Sequence, residues 1–191
     1  MLDIRDISII DAFPVCDVQP LVLNVGCGKG RIDSWLSKNG YTVYATDYER
    51  KEAWADNTNL LFFESNIFDL SSFPVGSAPI VLCSEVLEHL VDWKEALKNL
   101  LELTEDRLII TVPWRRSFGG GSSPPPVGHC NFWTDGGDTD FRDIHEFEEL
   151  CRPYSVSISK IRTKPRDVEI RQRSYLITVD KRQKWDAGVL G

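Results

Sequence analysis

Short apolar runs alternate along the chain with stretches in which apolar residues recur every three or four positions, the pattern of a sheet fed by crossover helices. Leu21 to Val25 reads as a buried strand, Ile32 to Lys38 as a helix, Thr42 to Thr46 as the next strand and Leu60 to Glu64 as the third. Ile80 to Ser84 has the Ile-Val-Leu content of a strand covered on both faces. Leu87 to Leu103 carries Leu90, Trp93, Leu97, Leu100 and Leu101 at helical spacing, which predicts a helix over the whole stretch. Leu108 to Val112 is a fifth strand, ended by Pro113. Asp143 to Leu150 predicts a short helix, and Ser155 to Ile161 with Ser174 to Val179 an antiparallel pair at the sheet edge. The fold class expected is therefore α/β, mostly parallel, with a C-terminal antiparallel hairpin.

Between 114 and 140 the composition turns to Gly, Ser, Pro and aromatics. A structureless stretch that long inside a compact domain is uncommon, and Trp114, Phe118, Phe132 and Trp133 give it side chains to pack on a ligand, so it reads as a lid. The 191 residues fit one domain, 1–191, with that lid inserted. Hydrophobic residues at 42% and charged residues at 27% exclude the disordered and collagen-like classes. No apolar run approaches the ~20 residues of a membrane span, and Asp3, Arg5 and Asp6 interrupt the region where a signal peptide would need its apolar segment, so a cytoplasmic protein with no membrane partner is expected. Five cysteines form no C-x-x-C pair, which reads as reduced thiols and not as a zinc or disulfide framework.

The first strand runs into Gly26-Cys27-Gly28-Lys29-Gly30 and then a helix. Glycines there let the chain bend sharply and let a ligand lie against bare main chain near a helix N-terminus. Asp47 ends the second strand, at the distance where a carboxylate takes both hydroxyls of a ribose. Dinucleotide folds use G-x-G-x-x-G; here the spacing is G-x-G-x-G, which disfavours a nicotinamide ligand.

That spacing resembles motif I of the class I S-adenosylmethionine-dependent methyltransferases, and the pattern continues in order. It runs from Leu21 through Gly30 to Asp47, then Glu64-Ser65-Asn66-Ile67, then Ser84-Glu85-Val86-Leu87-Glu88-His89-Leu90, and ends on Ile109 to Pro113. The likeness covers roughly 20 to 115 and is strongest to the small-molecule, type 11 group that includes the ubiquinone-pathway O-methyltransferases. It implies a Rossmann-like sheet and S-adenosyl-L-methionine as cofactor. Gly26 and Gly28 would lie along its methionine part, Asp47 on its ribose, and Asn66 and Ile67 against its adenine. Asn24, Cys27, Gly30, Ser84 and Glu85 complete the set expected around it. The family usually has an acidic residue where this chain has Asn24, and Asn66 replaces a frequent Asp.

Glu85, Glu88 and His89 stand at i, i+3 and i+4, which on a helix places all three on one face. One reading is a capped helix start. The other joins them to His129, because Gly128-His129 resembles the G-H-x-x-F segment of the ubiquinone-pathway enzymes and the metal loop of small-RNA 3′-terminal 2′-O-methyltransferases. In that reading Glu85, Glu88, His89 and His129 hold a divalent cation, Mg or Mn, that lowers the pKa of an acceptor hydroxyl. Without a metal, His129 or His89 serves as general base. The expected activity is methyl transfer to a small-molecule or terminal hydroxyl, and the alternative is a domain that keeps the cofactor or a partner without turnover.

Charge bears on the acceptor. The chain carries a net −7, yet Lys160 to Lys184 holds a local +6, leaving about −13 elsewhere. A small molecule is the favoured acceptor and a nucleic-acid terminus is disfavoured by that repulsion. The basic segment reads either as a face toward an anionic acceptor or as edge strands charged against aggregation. Oligomeric state is not readable from the sequence.

Overall fold

The structure is a computed structural model that describes residues 2–51, 57–71, 73–114, 128–135, 141–162 and 173–184. Nine strands and four α-helices are found among them: α1 (Ile4–Asp11), β1 (Leu21–Val25), α2 (Arg31–Lys38), β2 (Thr42–Asp47), β3 (Leu60–Glu64), β4 (Ala78–Ser84), α3 (Trp93–Leu103), β5 (Thr104–Pro113), β6 (Trp133–Thr134), β7 (Arg142–Asp143), α4 (Glu146–Leu150), β8 (Tyr154–Arg162) and β9 (Arg173–Lys184). Seven strands form one sheet in the order β3-β2-β1-β4-β5-β9-β8. The first five pair in parallel; β9 runs antiparallel to β5 and β8 antiparallel to β9, as the sequence pattern predicts.

Period-2 burial explains why both faces are covered. Ile80 and Leu82 on β4 join Ile109, Val22 and Val43 under α1 and α2, while Val81 and Cys83 join Leu108, Ile110 and Val112 under α3 and α4. The second layer is anchored by Trp93, Trp133 and Phe147, whose rings lie 5.2 to 5.8 Å apart. Truncating such a side chain costs about 3–5 kcal/mol.

Four features depart from the sequence pattern or add to it. The chain before β1 holds α1, whose start is a capping box: the Asp3 side chain accepts from the Arg5 and Asp6 backbone N–H groups, and the Asp6 carboxylate accepts from that of Asp3. Arg107 fastens its other end, donating to the Ala12 carbonyl and to Asp180. The helix expected over 87–103 divides into a 3-10 turn at Leu87–His89 and α3, with Leu90 extended between them. The reason is long-range competition for its carbonyls. The Asn131 amide donates to Leu87 and Leu90, and the backbone N–H groups of Cys130 and Asn131 donate to Glu88, so these carbonyls are taken by another segment instead of closing i→i+4 bonds.

The third correction concerns the 114–140 segment. Its stretches 115–127 and 136–140 lie outside the described residues, but Trp133 is fully buried in the α3–α4 layer and Trp114 is buried beside Tyr175, so two of its aromatics serve the core and not a ligand. Fourth, the helix expected at Asp143 begins at Glu146, because Arg142–Asp143 pairs with Trp133–Thr134 as a two-stranded ribbon. Among the described residues no helix is long and apolar enough to cross a membrane.

Candidate functional site

At the C-terminal ends of β1, β2 and β4 the structure opens a cavity of about 700 Å³, within the range that holds small ligands. The glycine turn forms its floor. Gly26 has φ +78° and a side chain there would run into the Val86 side chain, so the position calls for glycine. Gly28, at φ +55°, faces open space: a Cβ would find nothing within 4 Å. Gly30 sits behind them as the left-handed cap of α2. The carboxylate of Asp47 accepts from the backbone N–H of Gly28 at 2.8 Å and from that of Tyr48 at 2.9 Å. Each oxygen keeps a further acceptor site, so the fixed carboxylate has capacity left for a diol. Asn24, Cys27, Ser84, Glu85 and His89 also line the cavity. Asn66 and Ile67 do not: Ile67 lies in the core and the Asn66 side chain accepts from the Phe68 N–H within its own turn.

Beside this floor the structure shows a pairing that motif spacing does not announce. Asn24 donates from its amide to the carboxylate of Asp33 on α2 at 2.7 Å. Asp33 is fully buried, and that burial pushes its carboxyl up to about 7 against the two hydrogen bonds that favour the anion.

The E-x-x-E-H run does not share one helical face. Glu85 stands before the 3-10 turn at φ +56°, the one non-glycine with positive φ among the described residues, and its side chain pairs with Arg5 of α1 at 3.2 Å. Glu88, His89 and His129 do come together, with donor atoms all within 4.8 Å of one another. Three contacts hold them: the Glu88 carbonyl bonds noted above, a 2.9 Å bond between His89 Nδ1 and the Gly128 carbonyl, and edge-to-face packing of the two imidazoles at 4.5 Å. Burial, and then the Glu85 carboxylate, push the Glu88 carboxyl up to about 9. Burial, and then His89, lower the pKa of His129, which favours its neutral ring.

One carboxylate and two imidazoles are a donor set suited to a divalent transition metal, and the three need to close to separations of ~3.4 Å to share one ion. Glu85 is drawn away from that set. Two residues that sequence reasoning missed build the arrangement: Arg5, announced only by an Asp-x-x-Asp cap in a short helix, and Asn131, which carries no local signal at all.

Residues 23–107 match the family described as Methyltransferase domain. The ubiquinone biosynthesis O-methyltransferase of Vibrio parahaemolyticus is 31% identical over 91 residues, covering 44% of this chain and 39% of that protein. Its counterpart in Vibrio campbellii is 30% identical over the same length. The match thus spans about two fifths of the length of these curated relatives. Among solved structures, magnesium protoporphyrin IX methyltransferase from Synechocystis PCC 6803 with bound S-adenosylmethionine superposes with a TM-score of 0.62 at 17% identity, over 93% of this chain and 76% of that one. The [4+2]-cyclase SpnF superposes with a TM-score of 0.68 at 11% identity, over 92% and 79%. Residues 23–107 thus match a methyltransferase-domain family, and the fold is one that solved S-adenosylmethionine-dependent methyltransferases share. A cyclase on the same fold shows that the reaction has to be argued from the site.

Proposed function

We propose that the chain binds S-adenosyl-L-methionine in the cavity and transfers its methyl group to a hydroxyl oxygen of a small molecule or of a terminal diol. The observation that carries this reading is the double membership of His89, which lines the cofactor cavity and also belongs to the Glu88–His89–His129 cluster. A proton acceptor thus stands at the edge of the space where the methyl donor would lie.

The cofactor supplies a methyl group on a sulfonium that is already a good leaving group, so positioning and proton removal are the protein's share. Gly26 and Gly28 admit the ligand against the main chain, and Asp47 takes the ribose hydroxyls. The imidazole of His129, or of His89, would accept the hydroxyl proton as the oxygen lone pair forms the new C–O bond and the methyl–sulfur bond breaks. Were a divalent cation bound, Glu88, His89 and His129 would hold it and it would lower the pKa of that hydroxyl; Mn, Zn, Co or Fe would suit two imidazoles better than Mg.

The test is product formation from labelled S-adenosylmethionine with catechol and terminal-diol acceptors, with chelator and with added Mn or Mg. O-methylated product is expected. Calorimetry showing NADH binding in place of S-adenosylmethionine and its demethylated product overturns the reading. Cofactor binding without turnover on any acceptor favours instead a domain that has kept the ligand and lost the chemistry, a reading to which the Asn24 departure lends weight.

A further inference from the structure

We propose that Arg142 is a positioning residue for the methyl transfer: its guanidinium fixes the amide of Asn131, and through that amide it sets His89 and His129 against each other. The proposal rests on the methyl-transfer reading above and goes beyond it, because Arg142 lies outside the matched segment 23–107 and does not line the cofactor cavity.

The two histidines come from separate segments, 87–90 and 128–131, which have to be held in register. The backbone N–H groups of Cys130 and Asn131 donate to the Glu88 carbonyl at 2.6 and 3.1 Å. The Asn131 Nδ2 group donates to the carbonyls on either side, Leu90 at 2.6 Å and Leu87 at 3.2 Å. Asn131 therefore grips both ends of the turn that carries Glu88 and His89. Its amide can do so in one orientation alone. Carbonyls accept and never donate, so the NH2 end has to face Leu87 and Leu90, and the oxygen has to face away. The two ends of an amide are nearly alike in size, so shape does not enforce that choice.

Arg142 enforces it. Its Nε donates to Asn131 Oδ1 at 2.5 Å. A guanidinium has donors, no acceptor and a permanent charge, so it takes the oxygen end of the amide and rejects the other. The arginine is itself held by the core. Its backbone N–H donates to the Phe132 carbonyl at 2.9 Å, it pairs with Trp133 in the β6–β7 ribbon, and its Cζ lies 5.5 Å from the ring centroid of Trp93. Trp93 is fully buried at the start of α3, so a rigid path runs from the core through Arg142 and Asn131 to the histidine turn. A misplacement of ~1 Å at a reacting group can cost about 10²-fold in rate, which is the leverage such a path has.

Two readouts on the full chain test this: the imidazole NMR signals of histidine-labelled protein, which need no acceptor, and turnover on catechol. Arg142→Met keeps bulk over Trp93 and removes the donor. It is expected to shift the His89 and His129 ring signals and to lower kcat at least about tenfold, with S-adenosylhomocysteine affinity and catechol KM within about twofold. Arg142→Lys, which keeps a cation and a donor, is expected to recover most of that loss. Lys94→Met removes a second cation, 5.6 Å from the centroid of the same ring, without touching Asn131, and is expected to change neither readout. Asn131→Ala combined with Arg142→Met is expected to lose no more kcat than Asn131→Ala alone, since one acts through the other.

Unmoved histidine signals in Arg142→Met, an equal loss from Lys94→Met, losses that multiply in the double variant, or S-adenosylhomocysteine affinity that falls along with kcat overturn the positioning role and leave the methyl-transfer reading standing. An unaltered chain that methylates neither catechol nor a terminal-diol acceptor overturns that reading instead, and the histidine signals still decide whether Arg142 places the two rings.

Discussion

The two ends of the site are built on different principles. At the glycine turn every decisive contact is local or between neighbouring strands: the Gly26 and Cys27 N–H groups bond the Thr46 carbonyl, Gly28 bonds Asp47, and Gly26 packs on Val86. At the Glu88–His89–His129 cluster the contacts join segments some forty residues apart, and Asn131 overrides a helix that local propensity alone would extend. Motif spacing reads the first kind of site well, because glycine conformation and strand pairing leave one solution. It misreads the second, because i, i+3, i+4 spacing has meaning only on a helix that forms.

The sharpest way to break this contrast is to remove the cluster without touching the floor. His129→Ala is expected to lower turnover by about 10²–10⁴-fold, the usual worth of a positioned acid–base group, with S-adenosylhomocysteine affinity unchanged. Turnover assays beside calorimetry check it, and equal damage to both would mean that the two ends are not separable.

Asn131→Ala addresses how the cluster is held. Its side chain is buried and donates to two carbonyls of the broken helix, so the variant takes the donor from the Leu90 carbonyl and leaves the Leu87 carbonyl with the Leu90 N–H alone, at about 1–3 kcal/mol. Chemical denaturation is expected to show that loss together with a fall in turnover, while the floor keeps its ligand.

Most of the sheet was legible in the sequence because two-face burial writes continuous apolar runs, and β1 to β4 fall within two residues of expectation. Asp47 and the glycines were legible for the reasons given. Arg5 was not, because a short helix with exposed Ile4 and Ile7 shows a blurred period, and the residue it meets lies eighty positions away. The pairing of Asn24 with Asp33 was equally hidden, since nine residues of separation across a strand-to-helix turn carry no periodic signal.

Asp33 sharpens the contrast through pH. Its folded pKa of about 7 lies above the ordinary 3.8, so between these values the folded state binds more protons than the unfolded one. Stability is therefore greatest below about pH 4 on this account and is lost as pH rises toward 7, by up to about 4 kcal/mol. Asp33→Asn removes the titrating group and is expected to flatten that slope, so that the variant is the more stable of the two at pH 8. Denaturation midpoints from pH 5 to 8 decide it, and parallel profiles would place the slope elsewhere.

Next in size is the floor itself. Asp47→Ala removes the acceptor for a ribose diol and the backbone bonds to Gly28 and Tyr48, and charge-assisted hydrogen bonds are worth about 1.5–3 kcal/mol. Affinity for S-adenosylhomocysteine and for 5′-methylthioadenosine is expected to fall together by at least about tenfold. A selective loss at Asp47 would put the ribose elsewhere.

The smallest effect concerns the basic last strands. The segment 163–172 lies outside the described residues, but three of its neighbours already have structural partners. Lys160 pairs with Asp135, Arg182 with Asp106, and the Lys181 ammonium donates to the carbonyls of Leu101 and Thr104, where α3 ends and its last acceptors need donors. For these residues the charge serves the fold. Lys181→Met is expected to cost about 1 kcal/mol, a fall of ~2–4 °C in Tm, with no change in acceptor KM between low and high salt. The opposite pattern, an unchanged Tm with a KM that rises and loses its salt dependence, would return these strands to a role in drawing an anionic acceptor to the site.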